Sequence, residues 1–317
     1  MILRDALFKT HKTEKLVTRN RPTPHAIPHA GELNHLFNAR ARVLQRPARS
    51  KPGRQTIFSD AAIQFCLTMK SLFGLALRQT TGFVESLLRL LGLDWRVPDF
   101  STLSRRQRTL NVQIPLQSRR ECLHFLVDST GIKMMGEGEW KVKKHGAEYH
   151  RQCRKLYLGV DAQSGEICAL EVTDNRTNDA SVVPILLSQI PEERTISSVT
   201  GDVAYDTRNC HEAIAQHGAN AVIPTRQNAS FWRPDKPGYE ARNETLRAVK
   251  RLGWISWKKC SGYHRRSLSE TKKHCFKLLA DKVKSKRLQI QITELRICGE
   301  ILNRFTEMGT PQTVRVS

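Results

Sequence analysis

The sequence predicts an α/β fold, a mixed sheet covered by helices, preceded by a small helical region. Three observations predict it. Apolar residues between Ser59 and about residue 118 recur at helical spacing, whereas after Glu121 they gather in short runs that read as strands. Two of these runs, YLGVD (157–161) and EICALEVTD (166–174), flank Ala162-Gln163-Ser164-Gly165 and read as a hairpin. The remaining runs alternate with helical stretches, the order that lays helices over a sheet.

In the helical region, Ser59 or Asp60 is expected to cap a helix running to about Phe73, with Ile63, Leu67 and Phe73 among its apolar positions. Thr80-Thr81 is expected to open a second helix that stops at Gly92. Pro98 and Ser101 precede a third, TLSRRQRTL, whose exposed side carries Arg105, Arg106 and Arg108. Three short helices ending in a basic one fit a helix-turn-helix unit and fit a plain helical bundle equally well. Ahead of them, residues 1–56 are rich in Arg, Pro and His, a composition that favours a mobile basic arm.

Beyond residue 118, HFLVD (124–128) and SSVTGD (197–202) are expected to be strands that each end in an acid. A helix is expected from Asp179, or restarting at Pro184, to about Ile190; Asp206 is expected to cap another that Gly218 closes; AVIPT (221–225) reads as a further strand. Sites in such sheets gather at the carboxyl ends of strands, which is where this reading puts Asp128 and Asp202.

The charge narrows the function. With 52 Lys/Arg against 30 Asp/Glu, the chain has a net charge of +22 and calls for a polyanionic partner, nucleic acid being the commonest. Residues 1–120 carry a net +14, residues 121–226 a net −4 and residues 227–317 a net +12. An acidic centre between basic flanks suits a nuclease, where carboxylates hold cationic metals and the flanks hold phosphates. With 39% hydrophobic and 26% charged residues, and no run approaching the ~18 apolar residues of a membrane span, the expectation is a soluble cytoplasmic protein without a membrane partner. The eight cysteines are scattered and no two have C-x-x-C spacing, so buried reduced thiols are expected rather than a zinc site. His25, His29, His145 and His150 read as loop or surface residues, and Asp161 as part of the hairpin turn.

The sharpest pattern lies in YHRRSLSETKKHCFKLLADKVKSK (263–286). On a helix, Tyr263, Arg266, Glu270 and Lys277 fall within about 60° of one another, with Leu268, Cys275, Leu278, Leu279 and Val283 mainly opposite. Such a helix would bury its apolar side and turn Glu270 with three partners towards a ligand, although an ordinary amphipathic helix gives a similar stripe. Cleavage of a phosphodiester by two divalent ions needs carboxylates from separate elements to hold the metals about 4 Å apart, and hard Mg²⁺ suits oxygen ligands. Arg266 and Lys277 suit phosphate, Arg by its fork and Lys as a point charge.

The string Tyr263-x2-Arg266-x3-Glu270-x6-Lys277 resembles the Y-(2)-R-(3)-E-(6)-K signature of DDE insertion-sequence transposases. VDSTGIK (127–133) resembles their first-aspartate motif and GDVAYDT (201–207) their second. From about Lys51 to Pro311, including SDAAIQ, LRQTTGFVESLL and PDFSTLSRR, the text is similar to the IS-five family, close to its IS-nine-oh-three subgroup. The resemblance implies a ribonuclease H-like catalytic domain over residues 119–310, with Asp128, Asp202 and Glu270 as catalytic and metal-holding acids. It implies two Mg²⁺ ions, replaceable by Mn²⁺, and double-stranded DNA as partner, both terminal inverted repeats and target. Residues 57–118 would then form the DNA-binding region, with Tyr263, Arg266, Lys277, Arg105, Arg106 and Arg108 touching DNA, and a homo-oligomer would assemble on it. An inactive remnant, or a non-catalytic protein occupying the repeats, would share much of this pattern. No His-x-His pair accompanies Tyr263 as a tyrosine-nucleophile nicking enzyme would require. Two departures stand out: residues 1 to about 50 are unlike the family's usual start, which implies an altered copy, and Val203 replaces the Gly that usually follows the second aspartate. If residue 203 needs a positive φ, Val would strain the metal site.

Overall fold

The computed structural model describes residues 58–112, 114, 122–134 and 153–309. The expected arm over residues 1–56 and the four histidines at 25, 29, 145 and 150 lie outside them. Two compact units are present, one of the chain up to Val112 together with that from Glu307 onwards, and one running Gln113–Thr306.

Caps define the first unit. The Ser59 hydroxyl accepts from the Ala62 N–H at 3.2 Å and opens α1 (Asp60–Phe73), which Gly74 closes at φ 66°. Helix α2 (Leu77–Leu90) begins three residues before the expected Thr80, because the Gln79 side chain accepts the Ala76 N–H at 3.0 Å. The Thr80 and Thr81 hydroxyls instead donate back to the Ala76 and Leu77 carbonyls. Asp99, accepting from Thr102 N at 2.6 Å, opens α3 (Phe100–Arg106). Ile63, Leu67, Val84 and Leu103 are buried. Helix α3 is shorter than expected, and Arg108 lies on the turn beyond it.

The second unit is built on a six-stranded sheet of order β3-β2-β1-β4-β5, with β6 on the far half of β1. Strand β1 (Leu123–Met134) pairs antiparallel with β2 (Cys153–Asp161), which pairs antiparallel with β3 (Ile167–Asp174). It pairs in parallel with β4 (Ile196–Thr200), which does the same with β5 (Asn220–Val222). Three antiparallel strands followed by two parallel ones in this order make a ribonuclease H-like core. The expected hairpin forms: Asp161 accepts from Gln163 N at 3.1 Å and Ser164 Oγ at 2.9 Å, an Asx turn also tied to Arg194.

Strand alternation splits the core. Leu123, Phe125 and Val127 of β1 pack with Val182, Val183 and Leu186 of α4 (Asp179–Leu187) and with Cys210 and Ile214 of α5 (Arg208–Gln216). Leu126 and Ile132 face the other way, onto Phe276 of α8 (Ser267–Leu279) and Leu295, Cys298 and Leu302 of α9 (Leu288–Met308). Between β5 and α8 come α6 (Tyr239–Leu252), α7 (Trp254–Cys260) and a 3₁₀ turn over Tyr263–Arg266.

Three expectations are corrected here. Asp128 does not end a strand: β1 continues six residues past it, because β2 pairs along its full length and β6 (Lys282–Val283) picks up Lys133 and Met134. Asp206 does not cap α5; the Thr207 hydroxyl does, accepting from Cys210 N, while Asp206 is buried. The stretch from Tyr263 is not one helix to Lys286: a 3₁₀ turn precedes α8, which stops at Leu279, and Val283 lies in β6. The cysteines divide, with Cys66, Cys168, Cys210 and Cys298 buried but Cys122 and Cys260 exposed. Burial pushes the Cys66 thiol up to about 12. Among the described residues no single helix is long and apolar enough to cross a membrane.

Candidate active site

The register of β1 on β4 brings two acids together. Leu126 pairs with Thr200, so two residues further on Asp128 and Asp202 stand at neighbouring positions, just past the carboxyl end of β4. As the next alternate residue after Leu126, Asp128 is on the sheet face covered by α8. Only 6% of it is exposed. One oxygen, Oδ1, accepts the Ser129 N–H at 2.8 Å. The other, Oδ2, accepts from Lys273 Nζ at 2.8 Å and lies 3.5 Å from the Ser269 hydroxyl, which also donates to the Arg266 carbonyl at 2.7 Å.

Asp202 leaves β4 through Gly201, where a Cβ would come within 2.8 Å of the Tyr205 ring, so only glycine lets that ring pack under the turn. Its carboxylate accepts the Ala204 N–H at 2.9 Å and caps a 3₁₀ turn over Val203–Tyr205. Val203 is the first residue of that turn, and a 3₁₀ turn uses negative φ, ordinarily about −50 to −70°. The expected strain at Val203 is therefore absent: a helical φ suits Val, and its side chain is 45% exposed.

Glu270 projects from the first turn of α8 and is half exposed; Arg266, one turn earlier, makes an ion pair with it. Lys277 is exposed on the same helix. Tyr263 is not turned outwards with them. It is 8% exposed and packs against Trp257 at 5.4 Å and Trp254 at 5.7 Å between ring centroids. The inner face of α8 carries the buried Ser269 and Phe276 with the half-buried Lys273 between them, spaced 4 and 3. Of the expected apolar side, Cys275 and Leu279 are half-buried and pack on the core, while Leu268 at 44% and Leu278 at 53% are exposed. Sequence reasoning missed Lys273 and Ser269 because it scored only apolar residues for the inner face. Their i, i+4 spacing, one position off Glu270, was the available signal.

Electrostatics tie the three acids to one region. Burial raises the Tyr263 hydroxyl above its ordinary range; Arg266 opposes this, while Asp202, Glu270 and Asp128 all add to it. Tyr205, on the other face of β1, is raised by burial, then by Asp179, Asp202 and Asp128. Asp179 is held by Lys155 and by the Tyr157 hydroxyl at 2.8 Å.

Among the described residues no three His, Cys, Asp or Glu side chains come together as a metal-holding group. Each of the three acids meets a protein donor instead: Lys273 on Asp128, the Ala204 N–H on Asp202 and Arg266 on Glu270. The donor chemistry fits a hard divalent ion, since every candidate ligand is a carboxylate. The Tyr205 hydroxyl, buried without a hydrogen bond, belongs to the other face of β1.

In the first unit, Arg106 is half-buried, pairs with Asp60 and donates to the Phe58 carbonyl at 3.5 Å, so it braces α3 against the start of α1. Arg105 and Arg108 are exposed.

A family model described as a transposase DDE domain matches residues 121–298, a span holding Asp128, Asp202 and Glu270, and a second of the same description matches residues 30–137. The chain belongs to the DDE transposase family. As a transposase it is a polynucleotidyl transferase that cuts DNA and transfers the cut strand, a class that generally uses divalent metal ions. Among solved structures it is similar to a simian T-cell lymphotropic virus intasome in complex with the PP2A regulatory subunit B56 gamma. The identity there is 16%, over 63% of this chain and 68% of that one, at a TM-score of 0.23. It is also similar to a pre-cleavage Mos1 transpososome, at 10% identity over 80% of this chain and 88% of that one, again at a TM-score of 0.23. Likeness at that score does not bear on the fold, which the strand order carries.

Proposed function

We infer that the transposase serves an insertion sequence of the IS-five family, close to its IS-nine-oh-three subgroup. On this reading it cuts at the terminal inverted repeats of its own element in the bacterial cytoplasm, acting as a homo-oligomer assembled on DNA. Asp128, Asp202 and Glu270 are its catalytic acids and would hold two Mg²⁺ ions, which Mn²⁺ replaces. The observation that supports this reading is the β1–β4 register, in which Leu126 pairs with Thr200 two residues before Asp128 and Asp202, with α8 packed on the Leu126 face of β1. Bound there, divalent ions would activate the attacking water or 3′-hydroxyl and stabilise the leaving oxygen.

The chain's own groups supply the rest. Ser269 and the Ser129 N–H orient the Asp128 carboxylate, and the Ala204 N–H fixes that of Asp202. Arg266 holds Glu270 in the uncomplexed protein and is close enough to share its fork with a phosphate. Lys277 on α8, and Arg105 and Arg108 beyond it in the other unit, are exposed cations suited to the DNA backbone. Residues 57–118 act as the DNA-binding region and residues 119–310 as the catalytic domain. The test is strand cleavage of repeat-ended DNA. Cleavage with Mg²⁺ that a chelator abolishes supports the reading; binding to the repeats without any cleavage would leave a non-catalytic occupant.

A further inference from the structure

Asp128 already has a cation. Its Oδ2 accepts from Lys273 Nζ at 2.8 Å, and the carboxylate side chain is 7% exposed against 26% for the lysine. A carboxylate this deep requires a positive partner, and the structure supplies it from the element that covers the strand. The supplier is a lysine, a point charge on a flexible four-carbon stem, and not an arginine fork locked by several bonds. Among the described residues its ion pair is to this carboxylate. Its neighbour Lys272 cannot replace it, because Lys272 is turned to the Thr306 hydroxyl at 2.7 Å. The other oxygen, Oδ1, is occupied by the Ser129 N–H, so Oδ2 is the atom that an incoming ion and Lys273 would both seek.

We propose that Lys273 is a built-in competitor for the divalent ion: it neutralises Asp128 in the metal-free enzyme, gives way when an ion binds, and so sets the metal concentration at which the site assembles. The proposal rests on the reading of Asp128 as a metal ligand. Lys273 is a positioning residue in this account. It holds the carboxylate ready on the α8 face without itself touching the reacting atoms. Tight metal binding to free protein is thereby suppressed, and the partly exposed ammonium, once displaced, has a route to solvent or to a phosphate.

The experiment is Mn²⁺ binding to the full chain without DNA, followed by titration calorimetry, for wild type, Lys273→Met, Lys273→Gln, Lys273→Arg and Asp128→Asn. Removing the competing charge in Lys273→Met is expected to tighten Mn²⁺ binding at least about tenfold, within the usual range of coupling between two ligands. Lys273→Arg should stay near wild type, and Lys273→Gln, which keeps an N–H donor, should fall between. Unchanged or weaker binding by Lys273→Met overturns the proposal. Should Lys273→Met fail to fold, Lys273→Gln decides in its place: binding no tighter than wild type overturns it. A thermal melt adds a second readout, since Mn²⁺ should raise the melting temperature of Lys273→Met more than that of wild type. Asp128→Asn separates the two failures. If it binds Mn²⁺ as tightly as wild type, Asp128 is not a ligand and the underlying reading falls; if it loses binding while Lys273→Met gains nothing, only the competition falls.

Discussion

Two buried aspartates, Asp128 inside β1 and Asp206 six residues past the end of β4, have different surroundings. Asp206, beyond β4, is held on every side: Arg242 reaches it with Nε at 3.3 Å and Nη2 at 3.5 Å, the Arg226 N–H at 3.2 Å and His211 at 3.4 Å. Arg242 is itself fixed, donating to the Ser230 carbonyl and stacking on Trp232 at 4.5 Å. Asp128 has one cation, a lysine that is partly exposed. The first arrangement is over-determined and would lose much if any member moved. The second is held by a partner that can leave. A buried acid that must stay put is built like Asp206, and one that must exchange partners is built like Asp128.

The largest expected effect is on activity. Asp128→Asn, Asp202→Asn and Glu270→Gln should each lower Mg²⁺-dependent cleavage by more than about 100-fold, beyond the usual cost of losing a mere supporting residue, with DNA binding nearly unchanged. A cleavage assay paired with a gel-shift checks both halves, and wild-type cleavage by any one variant would remove that residue from the site. Asp206→Asn should do the reverse. It leaves the buried Arg242 uncompensated and should cost about 3–5 kcal/mol of stability in a denaturant titration. Adding Arg242→Met to it should restore part of that loss. If Asp128→Asn were the more destabilising of the two, the contrast between the sites would be wrong.

Acid should separate them as well. Burial alone would raise the Asp206 carboxyl, but His211, Arg242 and the Arg226 N–H outweigh it and hold it below the usual carboxylate range. A depressed folded pKa gives stability that is present above the unfolded value of about 3.9 and lost as pH falls through the folded one. Wild type should therefore lose stability as pH drops below about 4, and Asp206→Asn should show a flatter profile there. Equal acid slopes for the two proteins would show that Asp206 does not carry this linkage.

Much of the fold was legible in the sequence but this contrast was not, and the missing part has a physical cause. The hairpin at Asp161, the first helix from Ser59, and the acids after HFLV and SSVTG all follow from local rules of turn, cap and alternation. The extent of β1 did not, because its last residues are held by β2 and by β6, whose Lys282 and Val283 pair with Lys133 and Met134 from 149 residues away in sequence, a non-local cause. The inner face of α8 was hidden for a similar reason: Ser269 and Lys273 face inwards only because a carboxylate waits for them on β1. Polar residues that bury against a buried charge look, in a hydrophobicity pattern, like residues that face water.

A smaller effect concerns the basic flank. Residues 1–56 carry 12 Lys/Arg against 3 Asp/Glu. DNA affinity should fall with salt at a slope near −0.9 per phosphate contacted, and deleting residues 1–56 should flatten that slope while leaving the difference in stability between Asp128→Asn and Asp206→Asn intact. An unchanged slope would mean that this stretch makes no phosphate contact, and the salt dependence would then belong to the cations on α3 and α8.

The smallest expected effect is at Val203, and it sharpens the comparison because this residue links the two sites. Val203 follows Asp202 and its carbonyl accepts the Asp206 N–H at 3.2 Å, closing the 3₁₀ turn that carries the chain from the half-buried Asp202 to the buried Asp206. The turn needs a negative φ, which Val adopts without strain, and the exposed side chain meets no crowding. Gly in its place would add freedom to the unfolded chain and loosen the turn. Val203→Gly should therefore cost about 0.5–1 kcal/mol of stability and give no gain in cleavage rate. Denaturation midpoints and initial cleavage rates of the two proteins, measured side by side, check this. A faster Val203→Gly enzyme would mean that the turn opens during the reaction into a conformation that only glycine reaches easily, and the fixed placement of Asp202 by the Ala204 N–H would then describe the resting enzyme alone.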